Sequence, residues 1–141
     1  MSNTNPASSR DSTPQSSSEK IVLVAEDVKP LRDNLVKVLG ASGYRACDAA
    51  NGMDAIARVL DGDKEGVALV VLDLMMPVLD GLGFLKRLRD RPGYEKLPVI
   101  IISGVQDSAV RQQAETMGIS AFLVKPFKTA DLLEKVKEIL E

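Results

Sequence analysis

Five polar residues close or follow apolar runs along this chain. Glu26 and Asp27 come after IVLVA (21–25), Asp73 after VALVVL (67–72), Ser103 after VIII (99–102) and Lys125 after AFLV (121–124). Singly, each has an ordinary explanation. A Glu-Asp pair after a strand is a solvated turn or a helix cap. An Asp closing a strand is an N-cap, a Ser bonds to nearby backbone, and a Lys is solvated surface. Jointly they form a reactive set. Three carboxylates crowded together repel, which favours protonation. A hard divalent cation resolves that repulsion, and Mg²⁺ takes carboxylates, a backbone carbonyl and retained waters. Lys125 supplies a compact positive charge for an acceptor carboxylate or a phosphoryl oxygen. Ser103 supplies a hydroxyl donor. An Asp carboxylate can act as a nucleophile and form an aspartyl phosphate. Phosphoryl transfer asks the protein mainly for positioning and charge neutralisation.

The chain has no histidine. His general bases, His metal ligands and Ser-His-Asp triads are therefore excluded together. No phosphohistidine can form on this chain, so a phosphohistidine donor must belong to another molecule. Cys47 is the sole cysteine and forms no internal disulfide; in a strand it reads as a small buried apolar residue.

These residues need a scaffold that gathers them. After a Ser/Thr/Asn/Pro-rich stretch over 1–19, which reads as a disordered tail, structure begins near Lys20. Apolar runs at 21–25, 44–49, 67–72, 99–102 and 119–124 predict five strands. Helical spacing follows each of them, as with Leu31, Leu35, Val38 and Leu39. Further helices are expected over 52–60, around Leu82, Leu85 and Leu88, over 107–117 and over 129–140. Turn chemistry occupies 61–66, and Asp131 falls in the first turn of the last helix, where its charge complements the dipole. Continuous apolar strands, without alternation, imply burial on both sheet faces. Five strands alternating with five helices predict an α/β fold, a doubly wound parallel sheet. Ligands in such folds bind outside the carboxyl ends of the strands, where the five polar residues fall.

Composition narrows the partners. The chain has 141 residues, 45% hydrophobic content and a net charge of −2. That balance gives no general attraction to nucleic acid or to a membrane surface. The apolar runs are too short to span a bilayer, and no secretory signal is visible. A cytoplasmic location is expected.

The segments IVLVAED (21–27), VVLDLMMPVLDG (70–81), VIIISG (99–104) and AFLVKPF (121–127) together resemble the receiver domain of two-component response regulators. The resemblance covers 20–141, with the look of a stand-alone, chemotaxis-type regulator. It implies a flavodoxin-like (βα)5 sheet of order 2-1-3-4-5 and assigns Asp73 as phosphoacceptor. It implies direct metal contact from Asp27, a contribution from Glu26 through water, and a backbone carbonyl ligand from Met75. Mg²⁺ is the implied ion, with Mn²⁺ able to substitute. Ser103 and Lys125 would contact the phosphoryl group, Pro126 would follow a cis bond, and Phe122 would be the switch aromatic, with ordinary core packing the competing account. The implied partners are a sensor histidine kinase or histidine phosphotransfer protein upstream and a protein effector downstream. The implied surface of change is the fourth helix, fifth strand and fifth helix. Glu26 stands where Asp is commoner, and Phe122 lacks a phenolic hydroxyl. Met75 and Val105 flank the expected water path and cannot orient a hydrolytic water, so self-dephosphorylation is expected to be slow.

Rival accounts are weaker. A haloacid-dehalogenase-type phosphatase places a second Asp two residues after its nucleophile, where this chain has Met75. A non-phosphorylated pseudo-receiver would not need the acidic set. Flavin binding is disfavoured by 4% aromatic content and no phosphate-cradling loop. The P-loop motif is absent. With Glu141 ending the last helix, action by contact is expected, as a switch, a phosphorelay intermediate or a receiver excised from a longer protein.

Overall fold

In a computed structural model, described over residues 20–62, 66–104 and 108–141, strands and α-helices alternate along the chain. The strands are β1 (Ile21–Ala25), β2 (Arg45–Ala49), β3 (Leu69–Asp73), β4 (Val99–Ser103) and β5 (Ala121–Val124). The helices are α1 (Lys29–Ala41), α2 (Gly52–Ala57), α3 (Gly81–Arg89), α4 (Ser108–Met117) and α5 (Thr129–Leu140). All strand pairs are parallel, in the order β2-β1-β3-β4-β5. The 1–19 stretch, Val105 and Asp107 lie outside the described residues. Among the described residues no helix is long and apolar enough to cross a membrane.

Every residue of β1, β3 and β4 is buried. Side-chain alternation divides them between two apolar layers. Leu23, Val70, Leu72 and Ile101 pack with Phe84, Leu85 and Leu88 of α3 and Ala114 of α4. Val22, Val24, Val71 and Ile100 pack with Leu35 and Leu39 of α1 and Leu132 and Val136 of α5. Each fully buried aliphatic or aromatic side chain contributes roughly 1.5–3 kcal/mol, so these two layers fix the strands that carry the polar ends.

Element boundaries differ modestly from those expected. Tyr44 stays outside β2 because its N–H donates to Leu39 O at the end of α1. Its hydroxyl donates to the Glu141 carboxylate, tying the sheet's entry to the end of α5. Regular α geometry in α2 stops at Ala57, and a π-helical turn covers Arg58–Gly62, where helix and then turn were expected. Ala68 and Ser120 already donate to Ile21 O and Val99 O, so β3 and β5 are preceded by single bonds before their ladders begin. Cys47 on β2 is only half-buried. Asp131 does lie in the first turn of α5.

The loop from β3 to α3 is tight. Asp80 caps α3 by accepting from Gly83 N–H at 2.8 Å. Val78 holds φ at 69°, a left-handed conformation disfavoured for a β-branched residue, with its side chain in solvent. A Cβ on Gly81 would lie 2.5 Å from Asp73 O and 2.6 Å from Leu74 Cα. Only glycine lets α3 start directly against the peptide of Asp73.

Arg89, at the end of α3, is a second organiser. Its guanidinium donates to Met117 O (3.2 Å), Tyr94 O (2.8 Å), Leu97 O (2.7 Å) and Gly118 O (2.7 Å). One side chain thereby fastens the approach to β4 and the end of α4. Arg89→Met leaves these carbonyls without that donor, and it should lower unfolding free energy by about 2–3 kcal/mol, measured by urea denaturation.

Candidate functional site

The sheet register brings the polar ends together. Ala25 pairs with Leu72, so Glu26 lies beside Asp73 on the next step of the ladder. Asp73 pairs with Ile102, and Ser103 with Val124, one residue before Lys125. Residues from β1, β3, β4 and β5 that are up to 99 positions apart thus meet at the carboxyl edge.

Glu26 is 0% exposed and Asp73 2%, and buried carboxylates of this kind require partners. Lys125 Nζ donates to Glu26 Oε1 at 2.8 Å and to Asp73 Oδ2 at 3.3 Å. The second Glu26 oxygen accepts from Val28 N–H at 3.0 Å, and Asp73 Oδ1 accepts from Met75 N–H at 3.1 Å. Partial burial works to lower the pKa of the Lys125 ammonium. The hydrogen bond to Glu26, the charges of Asp73 and Glu26, and the bond to Asp73 outweigh it, so the net displacement is upward from the ordinary 10.5.

Asp27 completes the acidic set from the exposed side. One carboxylate oxygen from each of Glu26, Asp27 and Asp73 can be chosen so that all lie within 4.8 Å of one another. Among the described residues, three carboxylates with one ammonium in contact leave an excess of negative charge. That donor set, all oxygen and partly open to solvent, suits a hard divalent cation. The other residues singled out from the sequence fall around this cluster. Ser103 is fully buried at the end of β4. Met75 projects its side chain into solvent, leaving its backbone nearest the site. The Lys125–Pro126 peptide bond is cis. Phe122 stands apart on β5: it is half-buried against the α3–α4 layer, with the Arg111 guanidinium 4.6 Å from its ring centre. Sequence reasoning missed Arg111, because no linear signal joins α4 to a ring on β5.

The family model described as "Response regulator receiver domain" matches residues 22–137. The transcriptional regulatory protein ResD of Bacillus subtilis is 31% identical over 86% of this chain and 48% of its own length. The chain spans about half the length of the first curated relatives it matches. The chemotaxis protein CheY4 of Vibrio cholerae superposes with a TM-score of 0.78 at 26% identity, covering 86% of this chain and 98% of that one. The receiver domain of the sensor histidine kinase PA1611 of Pseudomonas aeruginosa, solved with a magnesium ion coordinated in its active-site cleft, has the same fold. Its TM-score is 0.74 at 24% identity, covering 86% and 98% of the two chains. The chain belongs to the response regulator receiver domain family, and its function is that of a phosphoacceptor switch of two-component type.

The electrostatics carry two consequences. Asp27→Asn removes one of three crowded charges. It should raise the metal-free melting temperature by a few degrees while abolishing the stabilisation that added Mg²⁺ gives the native chain, both read by thermal unfolding. A folded pKa above the unfolded one also means that the Lys125 contribution is complete below the ordinary lysine value and is lost as pH rises through the raised one. Above about pH 10.5, stability of the native chain should therefore fall more steeply than that of Lys125→Met, as measured by denaturation at stepped pH.

Proposed function

We propose that Asp73 is the residue that accepts the phosphoryl group, in a pocket where Glu26, Asp27 and Asp73 hold Mg²⁺ together with the Met75 carbonyl. The observation that carries this reading is the shared ammonium. Lys125 touches Glu26 and Asp73 at the one edge of the sheet where all the carboxylates of the set converge. In the transfer, an Asp73 carboxylate oxygen attacks phosphorus of a phosphohistidine on a histidine kinase or phosphotransfer protein. The new P–O bond forms as the P–N bond breaks, and the imidazole nitrogen leaves with the electron pair. A divalent ion bound at the carboxylates supplies neutralisation of the phosphoryl charge. Mn²⁺, with the same preference for oxygen donors, substitutes for it.

The chain's own groups do the rest. Met75 N–H orients the Asp73 carboxylate, and the Lys125 ammonium moves its hydrogen bond from Asp73 to a phosphoryl oxygen. Ser103 donates its hydroxyl to another. Drawing Ser103 towards the phosphoryl group opens space towards β5, and Phe122 fills it. The α4–β5–α5 surface then changes its population of states, and a downstream protein effector binds the new surface in the cytoplasm. Phe122 starts half-buried, so an inward movement gains burial without a new polar contact. Met75 offers no polar side chain to a hydrolytic water, which favours a long-lived phosphoryl group. A second Asp at position 75, as a haloacid-dehalogenase-type phosphatase requires, is not present.

Labelling with radioactive acetyl phosphate tests this reading. The native chain should take up an acid-labile, Mg²⁺-dependent label that persists for minutes, and Asp73→Asn should take up none. Undiminished labelling of Asp73→Asn would remove Asp73 from this role.

A further inference from the structure

Asp27 differs from its two neighbours in the acidic set. Glu26 and Asp73 are each held by a backbone N–H and by Lys125. The Asp27 carboxylate is exposed and makes no hydrogen bond or ion pair among the described residues. Its place within the 4.8 Å cluster is therefore set by the backbone of the β1–α1 turn alone. Two main-chain bonds secure the ends of that turn, from Glu26 N–H to Ala49 O at 3.0 Å and from Arg32 N–H to Val28 O at 2.9 Å. Within the stretch between them, the Glu26 carboxylate accepts from Val28 N–H at 3.0 Å, and a second side chain holds the carbonyls. Arg32, in the first turn of α1, reaches back so that a single guanidinium nitrogen faces Glu26 O at 2.8 Å and Asp27 O at 3.4 Å. Its Nε lies 3.4 Å from Asp48 Oδ2 at the end of β2, and its side chain is 14% exposed. The guanidinium is thus aimed by one carboxylate while it holds two carbonyls.

We propose that Arg32 is a positioning residue for the metal-binding turn, fixing the Glu26–Asp27 backbone so that the Asp27 carboxylate stays within reach of an ion shared with Glu26 and Asp73. The inference rests on the Mg²⁺ reading given above. Its geometry is hard to replace. Lysine keeps the charge but is a point donor on a flexible stem, and it cannot span two carbonyls and Asp48 as a planar fork does. Charge makes the opposite demand. A cation near three carboxylates disfavours Mg²⁺, so removing Arg32 should tighten binding if charge alone matters. Positioning predicts that binding weakens, so the two accounts differ in sign.

Calorimetric titration of the intact chain with Mg²⁺ alone decides between them, with metal-free unfolding midpoints measured in parallel. Arg32→Lys should bind Mg²⁺ about tenfold more weakly than native, as loss of an outer support to a metal ligand does elsewhere. Arg32→Met should weaken binding at least as much, despite its lost positive charge. Arg58→Met, exposed in the pocket that Arg32 and Asp48 also line, removes a charge without touching the turn and should not weaken binding. A purely structural role for Arg32 would move the unfolding midpoint but leave the affinity of the folded chain unchanged. Affinity for Arg32→Lys within about twofold of native, or tighter binding by Arg32→Met, overturns the proposal. Should Arg32→Met fail to fold, Arg32→Lys decides the matter. A native chain that binds no Mg²⁺ overturns the metal reading itself, whereas a native chain that binds while the variants match it overturns only the role of Arg32.

Discussion

One ammonium group shared between two buried carboxylates is the interaction on which the rest of this molecule depends. Glu26 and Asp73 are almost wholly removed from solvent, where an unpaired carboxylate is severely penalised. Among the described residues, Lys125 is the one side-chain cation in contact with both. The pairing does not balance, because Asp27 adds a third carboxylate to the cluster. Such an arrangement is a poor way to stabilise a fold. It leaves an oxygen-rich edge with excess negative charge, which suits a hard divalent cation.

The apolar architecture tolerates this imbalance by concentrating it at one edge. Three fully buried strands carry no polar side chain until their carboxyl ends, and both faces are sealed by helices. A close fit lies directly behind Asp73, where Gly81 lets α3 begin against its peptide. Further away, Arg89 gathers four backbone carbonyls that would otherwise need other donors. Shape is thus fixed by hydrophobic burial and backbone satisfaction, which leaves the polar edge free to be arranged for chemistry.

Much of this was legible in the residues. The apolar runs at 21–25, 67–72 and 99–102 are too continuous for any role other than central strands, and polar residues at their ends locate the functional edge. The five-strand, five-helix alternation led to the doubly wound sheet, and the family resemblance to its 2-1-3-4-5 order. What stayed hidden depends on distance across the fold. Nothing in the order of residues says that Arg32 turns back onto the Glu26 and Asp27 carbonyls, that Arg89 reaches Gly118, or that Arg111 covers Phe122. Long side chains choose partners by three-dimensional proximity, and periodicity is silent about that. The end of α2 also escaped, because a π-helical turn has no compositional signature of its own.

The position of β5 carries a mechanical consequence. It has four residues, only partly buried, and hydrogen-bonds to a single neighbour, β4. Central strands are clamped from both sides, so a push on one is resisted by two ladders. β5 is restrained by one ladder, which makes it the most compliant beam in the sheet's active half. Lys125 continues directly from this strand and Phe122 lies within it. A small displacement of the ammonium at one end can therefore be transmitted along the strand as a lever stroke, while the stiff interior of the sheet serves as the fulcrum.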